Sequence, residues 1–197
     1  MIIELADVGK RYNRQWIFRH FNYTFQQGNS YAITGANGSG KSTLLQVIAG
    51  AVMQSEGYIS YQNTDFPHTK ISIATPYLEL IEELTANEFL KFHSAFKPLK
   101  FSFSKVLEDV GLSASANKQI RYFSSGMKQR LKLAQAFLSE SECLFLDEPT
   151  TNLDAQGIQL YRHLIENHHE GRTIIISSND INEYSSCREI IKIENYK

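Results

Sequence analysis

Eleven residues constrain this chain more than any others: Ile33-Thr34-Gly35-Ala36-Asn37-Gly38-Ser39-Gly40-Lys41-Ser42-Thr43, an apolar run, a glycine-rich turn, then Lys-Ser-Thr opening a helical pattern. They fit G-x-x-x-x-G-K-S/T at every fixed position, and each residue type has a task with a nucleoside triphosphate. Gly35, Gly38 and Gly40 admit backbone conformations that a side chain blocks, so that successive N–H groups of the turn, through Ala36, Asn37 and Ser39 to Thr43, point inward at phosphate oxygens. Lys41 reaches the β- and γ-phosphates, and Ser42 offers its hydroxyl to Mg²⁺. Ser30–Thr34 reads as a strand entering the turn. A helix with Leu44, Leu45, Ile48 and Val52 on one face leaves it, aiming the positive end of its dipole at the same phosphates.

The 197 residues make room for one large domain with a lobe. A formal charge of -1 leaves no basic footprint, and no nucleic-acid partner is expected. Cys143 and Cys187 make no disulfide framework, and Cys143 lies in an apolar strand pattern that suits a small core residue. Such usage suits a reducing cytosol. No signal peptide opens the sequence, and no apolar run approaches the roughly 20 residues that span a bilayer. If the protein serves a membrane process, another polypeptide does the crossing.

Taken in order, residues 2–8 and about 16–35 read as strands, with Ile3 and Leu5, then Phe21, Tyr23 and Phe25, alternating with polar neighbours. Tyr12 falls in a loop between them. Tyr58–Tyr61 is a further strand, 62–70 reads as a loop around Pro67, and Ile71–Ala74 is a short strand stopped by Pro76. From 77 to 123 helical spacing takes over, and Thr85 with Glu88 fits a capping box. Leu78, Leu80, Phe89, Phe92 and Phe96 are read as core of this lobe, with a partner-binding groove as the alternative use for some of them. The last third alternates helix and strand in the manner of parallel α/β proteins, ending in a possible closing strand at 189–193. The expected lobes are 1–75, a β-subdomain with the phosphate turn; 76–125, the helical lobe; and 126–197, the rest of the α/β core.

Cys143-Leu144-Phe145-Leu146-Asp147-Glu148 is an apolar strand ending in two carboxylates. Strand geometry turns neighbours to opposite faces, so the two cannot share a job. Asp147 suits the Mg²⁺ shell and Glu148 the polarisation of an attacking water, as in the Walker B strand of P-loop ATPases.

Ser124-Ser125-Gly126-Met127-Lys128-Gln129-Arg130, just ahead of that strand, resembles the signature motif of ATP-binding cassette (ABC) proteins, and Glu148-Pro149-Thr150-Thr151-Asn152-Leu153-Asp154 resembles their Walker B exit and D-loop. The resemblance spans about residues 1–195. It implies an α/β P-loop NTPase core with a parallel sheet flanked by helices, an N-terminal antiparallel β-subdomain and an inserted helical lobe. It further implies that two cassettes pair head to tail around ATP, with Ser124, Ser125, Gly126 and Met127 facing the partner's γ-phosphate and Asp154 at the dimer interface. Tyr12 falls where the family has its adenine-stacking aromatic. Read from the residues alone, Ser124-Ser125 is an ordinary helix N-cap.

Two positions depart from the family. Alignment on Leu84-Thr85 puts Thr75 or Pro76 where the lobe's Mg²⁺-touching glutamine stands, and after the strand Thr173–Ile176, Ser177-Ser178-Asn179-Asp180 puts Asn179 where a histidine contacts the γ-phosphate. Asparagine donates a hydrogen bond but carries no proton at neutral pH, and loss of an acid–base role slows a reaction by about 10²–10⁴. The leading expectation is therefore a Mg²⁺-dependent ATPase subunit, homodimeric or heterodimeric with another cassette, docked to a separate transmembrane permease on the cytoplasmic face of the membrane. The alternative is a slow or inactive ATP-gated module in a heterodimer. A soluble cassette acting on DNA or ribosomes fits less well, since the chain has no second cassette, long coiled-coil insert or basic stripe.

Overall fold

The computed structural model describes residues 1–169 and 171–197. The chain divides into two compact units, the first made of Met1–Ile71, Glu142–Glu148 and Gly171–Lys197, the second of Ser72–Ser141 and Pro149–Glu170.

The first unit opens with β1 (Ile3–Tyr12) and β2 (Gln15–Phe25), continues through β3 (Ser30–Thr34), α1 (Lys41–Ile48) and β4 (Glu56–Tyr61), and includes the short helix α2 (Pro67–Lys70). Strands β2, β1 and β4 form an antiparallel sheet in that order, with Leu5 opposite Tyr23 on one side and Ile59 on the other. Its alternating apolar residues Ile3, Leu5, Phe21 and Phe25 are buried, as half-buried strands require.

Three expectations are corrected here. Tyr12 is not in a loop but closes β1, because β1 and β2 stay paired to Tyr12–Gln15. Val52 lies beyond α1, which stops at Ile48 ahead of Gly50 at φ 72°. The polar stretch 62–70 contains α2, for which Pro67 supplies a preset first turn.

The second sheet has the order β5-β6-β7-β3-β8, where β5 is Ile71–Ala74, β6 Cys143–Asp147, β7 Thr173–Ser177 and β8 Glu189–Lys192. The β3, β6, β7 and β8 pairings are parallel. Every residue of β6 and β7 is buried, the near-continuous apolar run of a sheet covered on both faces. Their register aligns Asp147 with Ser177 and Ser177 with Ile33. The chain therefore leaves β3, β6 and β7 at one common edge, the carboxyl ends where parallel sheets hold ligands.

The second unit is helical: α3 (Ala86–Ser94), α4 (Phe103–Asp109), α5 (Ser125–Phe137) and α6 (Ala155–His168). Thr85 and Glu88 form the expected capping box at the start of α3. Leu80 and Phe89 are buried and Leu78 is half-buried. Phe92 and Phe96 are not core: they are 49% and 72% exposed and pack against each other with ring centroids 5.2 Å apart. The inward stripe of α3 runs Ala86, Phe89, Leu90, His93, and that phase turns Phe92 away from it, while Phe96 lies beyond the end of α3 at Ser94.

Candidate functional site

In the first unit, the backbone between β3 and α1 forms a cradle. Ser39 N–H donates to Ala36 O at 3.0 Å to close its turn. Gly40 takes φ 102° immediately before α1, and a Cβ there would stand 2.4 Å from Ile17 Cγ2, so no side chain fits. No side chain caps α1 and no acidic residue sits in its first turn, which leaves its positive end available to an anion. Lys41 is buried and donates through Nζ to Gly35 O at 3.0 Å and Ala36 O at 3.2 Å, folded back under the loop it would serve.

Ser42 Oγ, at the start of α1, donates to Asp147 Oδ1 at 3.0 Å and so joins the glycine turn to the end of β6. Asp147 is 1% exposed and its Oδ2 has no well-formed hydrogen bond among the described residues, nor has the neighbouring Ser177 Oγ. Burial pushes the Asp147 carboxyl up, against the opposing pull of the Ser177 and Ser42 hydroxyls. A buried carboxylate oxygen with no well-formed hydrogen bond, beside a hydroxyl, fits a hard cation that takes oxygen ligands, as Mg²⁺ does. The side chains of Ser42 and Asp147 would hold it, leaving further positions to water and phosphate.

Glu148 is set apart from Asp147 by a different device than strand alternation. It leaves the strand in the left-handed region at φ 42°, anchored by its N–H to Ser177 O at 2.8 Å. A non-glycine residue held in that conformation is strained, and such strain concentrates at working sites. Asn179, two residues past β7, donates through Nδ2 to Asn37 Oδ1 at 2.8 Å, which brings the residue at the histidine position onto the tip of the glycine turn. Tyr12 lies at the end of β1 with the Lys10 ammonium 4.7 Å from its ring centre.

The signature residues belong to the second unit. Ser124 caps α5, its Oγ accepting from Met127 N–H at 3.2 Å, and Ser125, Gly126 and Met127 form the first turn. The N-cap reading and an anion site use the same geometry. Asp154 caps α6 by accepting from Gly157 N–H at 2.8 Å and also accepts from Arg130 Nη2 at 3.0 Å. The Gly157 N–H foremost, with Arg130, holds the Asp154 carboxyl below its usual range.

Sequence reasoning passed over Lys132. It is buried in α5, and its Nζ donates to Pro76 O at 2.7 Å and Thr75 O at 3.4 Å, the positions where the family's glutamine is absent. Burial, with Lys128 nearby, lowers its pKa. No sequence signal singled it out, because α5 also carries Lys128, Gln129, Arg130 and Gln135.

A glycine turn between a parallel strand and a helix, with its serine bonded to an aspartate on a neighbouring strand, defines a P-loop nucleotide-binding core. The chain belongs to the ABC transporter family, whose model matches residues 18–151. It is an ATP-binding subunit of that family. It is 31% identical over 195 residues to the lantibiotic transport ATP-binding protein SrtF of Streptococcus pyogenes, covering 96% of this chain and 85% of SrtF. It is 36% identical over 192 residues to the bacitracin transport ATP-binding protein BcrA of Bacillus licheniformis, covering 92% of this chain and 63% of BcrA. Among solved structures it resembles the dimeric, post-hydrolysis ATP-binding cassette MJ0796 bound to ADP and Pi, with a TM-score of 0.85 at 25% identity over 97% of this chain and 94% of that one.

Proposed function

We propose that the chain is a single nucleotide-binding domain that binds Mg-ATP, pairs with a second cassette around it, and hydrolyses it to drive a separate transmembrane permease from the cytoplasmic face. The observation that carries this reading is the Ser42–Asp147 hydrogen bond, with Asp147 Oδ2 making no well-formed hydrogen bond among the described residues, which joins two motifs 105 residues apart into one oxygen-donor site beside the phosphate cradle. No helix among the described residues is long and apolar enough to cross a membrane.

Lys41 exchanges the Gly35 and Ala36 carbonyls for the β- and γ-phosphates, while the N–H groups of the turn and of the start of α1 hold the phosphate oxygens, except those of Ala36 and Ser39, which Glu194 Oε1 and Ala36 O already take. Mg²⁺, when bound, neutralises charge developing on the phosphates. Glu148 accepts hydrogen-bond character from the attacking water, Asn179 hydrogen-bonds the γ-phosphate from the other side, and Tyr12 stacks on the adenine. Ser124, Ser125, Gly126 and Met127 cap the γ-phosphate held by the partner cassette, with Asp154 near that interface. The presence of Glu148 favours turnover over the inactive-module alternative. The cargoes named for the relatives, a lantibiotic and bacitracin, make peptide antibiotics the first class to test.

The test is the mass in solution of Glu148→Gln with ATP, measured with and without Mg²⁺. A dimer that forms only with nucleotide, and that Ser125→Arg abolishes, is the expected result; a monomer under every condition overturns the pairing.

A further inference from the structure

A short 3₁₀ helix, Ile193–Tyr196, follows β8 in the first unit, and its flank reaches the phosphate turn from outside any recognised motif. Glu194 Oε1 accepts from Ala36 N–H at 2.8 Å. Three residues on, Lys197 Nζ donates to Ser39 O at 2.7 Å and to Ile17 O at 3.1 Å. Ala36 and Ser39 are themselves the two ends of the turn closed by the Ser39 N–H to Ala36 O bond. A pair of side chains spaced by three thus holds a pair of backbone groups spaced by three, one taking a donor and the other an acceptor.

Gly35 makes the approach possible. It sits at φ 149°, and a Cβ there would lie 2.5 Å from Glu194 Oε1 and 2.8 Å from Ser39 Oγ. The space a side chain would fill is the space the carboxylate uses. Ser39 Oγ is buried with no hydrogen-bond partner among the described residues, so Lys197, rather than the serine's own hydroxyl, ties that end of the turn. The Ala36 N–H, with help from the Lys41 and Lys197 ammonium groups, keeps the Glu194 carboxyl below its usual range, so it is an anion at neutral pH.

We propose that Glu194 and Lys197 are positioning residues, a two-point clamp that holds the Ala36–Ser39 turn in its phosphate-binding shape before nucleotide arrives and so sets the affinity for ATP. The proposal rests on the nucleotide reading above and deepens it. A turn rich in glycine has more backbone freedom to lose on binding than any other, and fixing it in advance moves that cost from the binding step to folding. The sign is diagnostic. A carboxylate near phosphates weakens binding by repulsion alone, so its removal would tighten binding; a clamp predicts the opposite.

The experiment titrates Mg and a fluorescent ATP analogue into the purified full chain, comparing wild type with Glu194→Ala, Glu194→Gln, Lys197→Met and Lys41→Ala, with melting curves taken alongside. Glu194→Ala is expected to weaken binding about tenfold, the size of one lost charge-assisted hydrogen bond, with little change in melting. Glu194→Gln restores most of the affinity, because its amide oxygen still accepts from Ala36 N–H, and Lys197→Met weakens binding in the same direction. Glu194→Ala binding as well as wild type or better, or Glu194→Gln binding no better than Glu194→Ala, overturns the clamp. Wild type binding no more tightly than Lys41→Ala overturns the nucleotide reading and the clamp with it, which is a distinct outcome.

Discussion

Replacing Asp147 with asparagine separates what this residue does for the fold from what it does for the ligand. Its side chain is buried, accepts from Ser42 Oγ, and leaves Oδ2 and the nearby Ser177 Oγ without well-formed bonds. An unsatisfied buried polar group costs about 1–3 kcal/mol. Asparagine keeps the shape and the acceptor toward Ser42, removes the charge, and presents an amide N–H₂ to Ser177 Oγ. Asp147→Asn is therefore expected to stabilise the nucleotide-free chain by about 1–2 kcal/mol, which for a chain of this size raises Tm by roughly 2–8 °C. The pH dependence carries a sign. Burial raises the folded carboxyl above its ordinary value of 3.8, so the penalty for ionising it is absent below that value and grows as pH rises through the folded pKa. The Tm gap between the variant and wild type opens with rising pH. Melting curves from about pH 4 to 8, with and without Mg-ATP, measure both effects. Wild type gains stability from Mg-ATP, and the variant gains much less. A variant less stable than wild type at neutral pH without nucleotide, or a gap equal at both ends of the range, refutes the reasoning.

Two further substitutions probe the helical unit. His93 is partly buried against Ser139 Oγ at 2.9 Å, and burial foremost, then Lys97, pushes its pKa down from 6.5 to about 4. Stability from keeping it neutral is complete above pH 6.5 and is lost as pH falls toward about 4, so His93→Gln should flatten the acid side of the Tm profile; an unchanged slope counts against this. Thr85→Ala removes the hydroxyl that accepts from Glu88 N–H at 3.2 Å and should cost about 0.5–2 kcal/mol in denaturant unfolding, most of it recovered by Thr85→Ser.

The parts of the molecule legible in advance were those written in local backbone chemistry. The glycine turn announces itself because its work is done by N–H groups and φ angles, and β6 and β7 because buried parallel strands are apolar throughout. Helix phase and length were harder: Phe92 and Phe96 are as apolar as Phe89, but the inward stripe of Ala86, Leu90 and His93 leaves Phe92 out, and α3 ends at Ser94 before it reaches Phe96. Glu148 was separated from Asp147 by an argument about strand faces, whereas a left-handed residue at the strand exit does the separating. Lys132, Glu194 and Lys197 left no readable pattern, because each binds backbone groups of a distant segment and such pairing has no period in sequence.

The most direct test is steady-state ATP hydrolysis by the purified chain with Mg²⁺, beside Glu148→Gln and Asn179→His. The account predicts Mg²⁺-dependent turnover by the wild type, its loss in Glu148→Gln with nucleotide still bound, and at most a modest gain in Asn179→His. A wild-type chain that binds ATP without turning it over, while Asn179→His does turn it over, would contradict the assignment of this chain as a working ATPase.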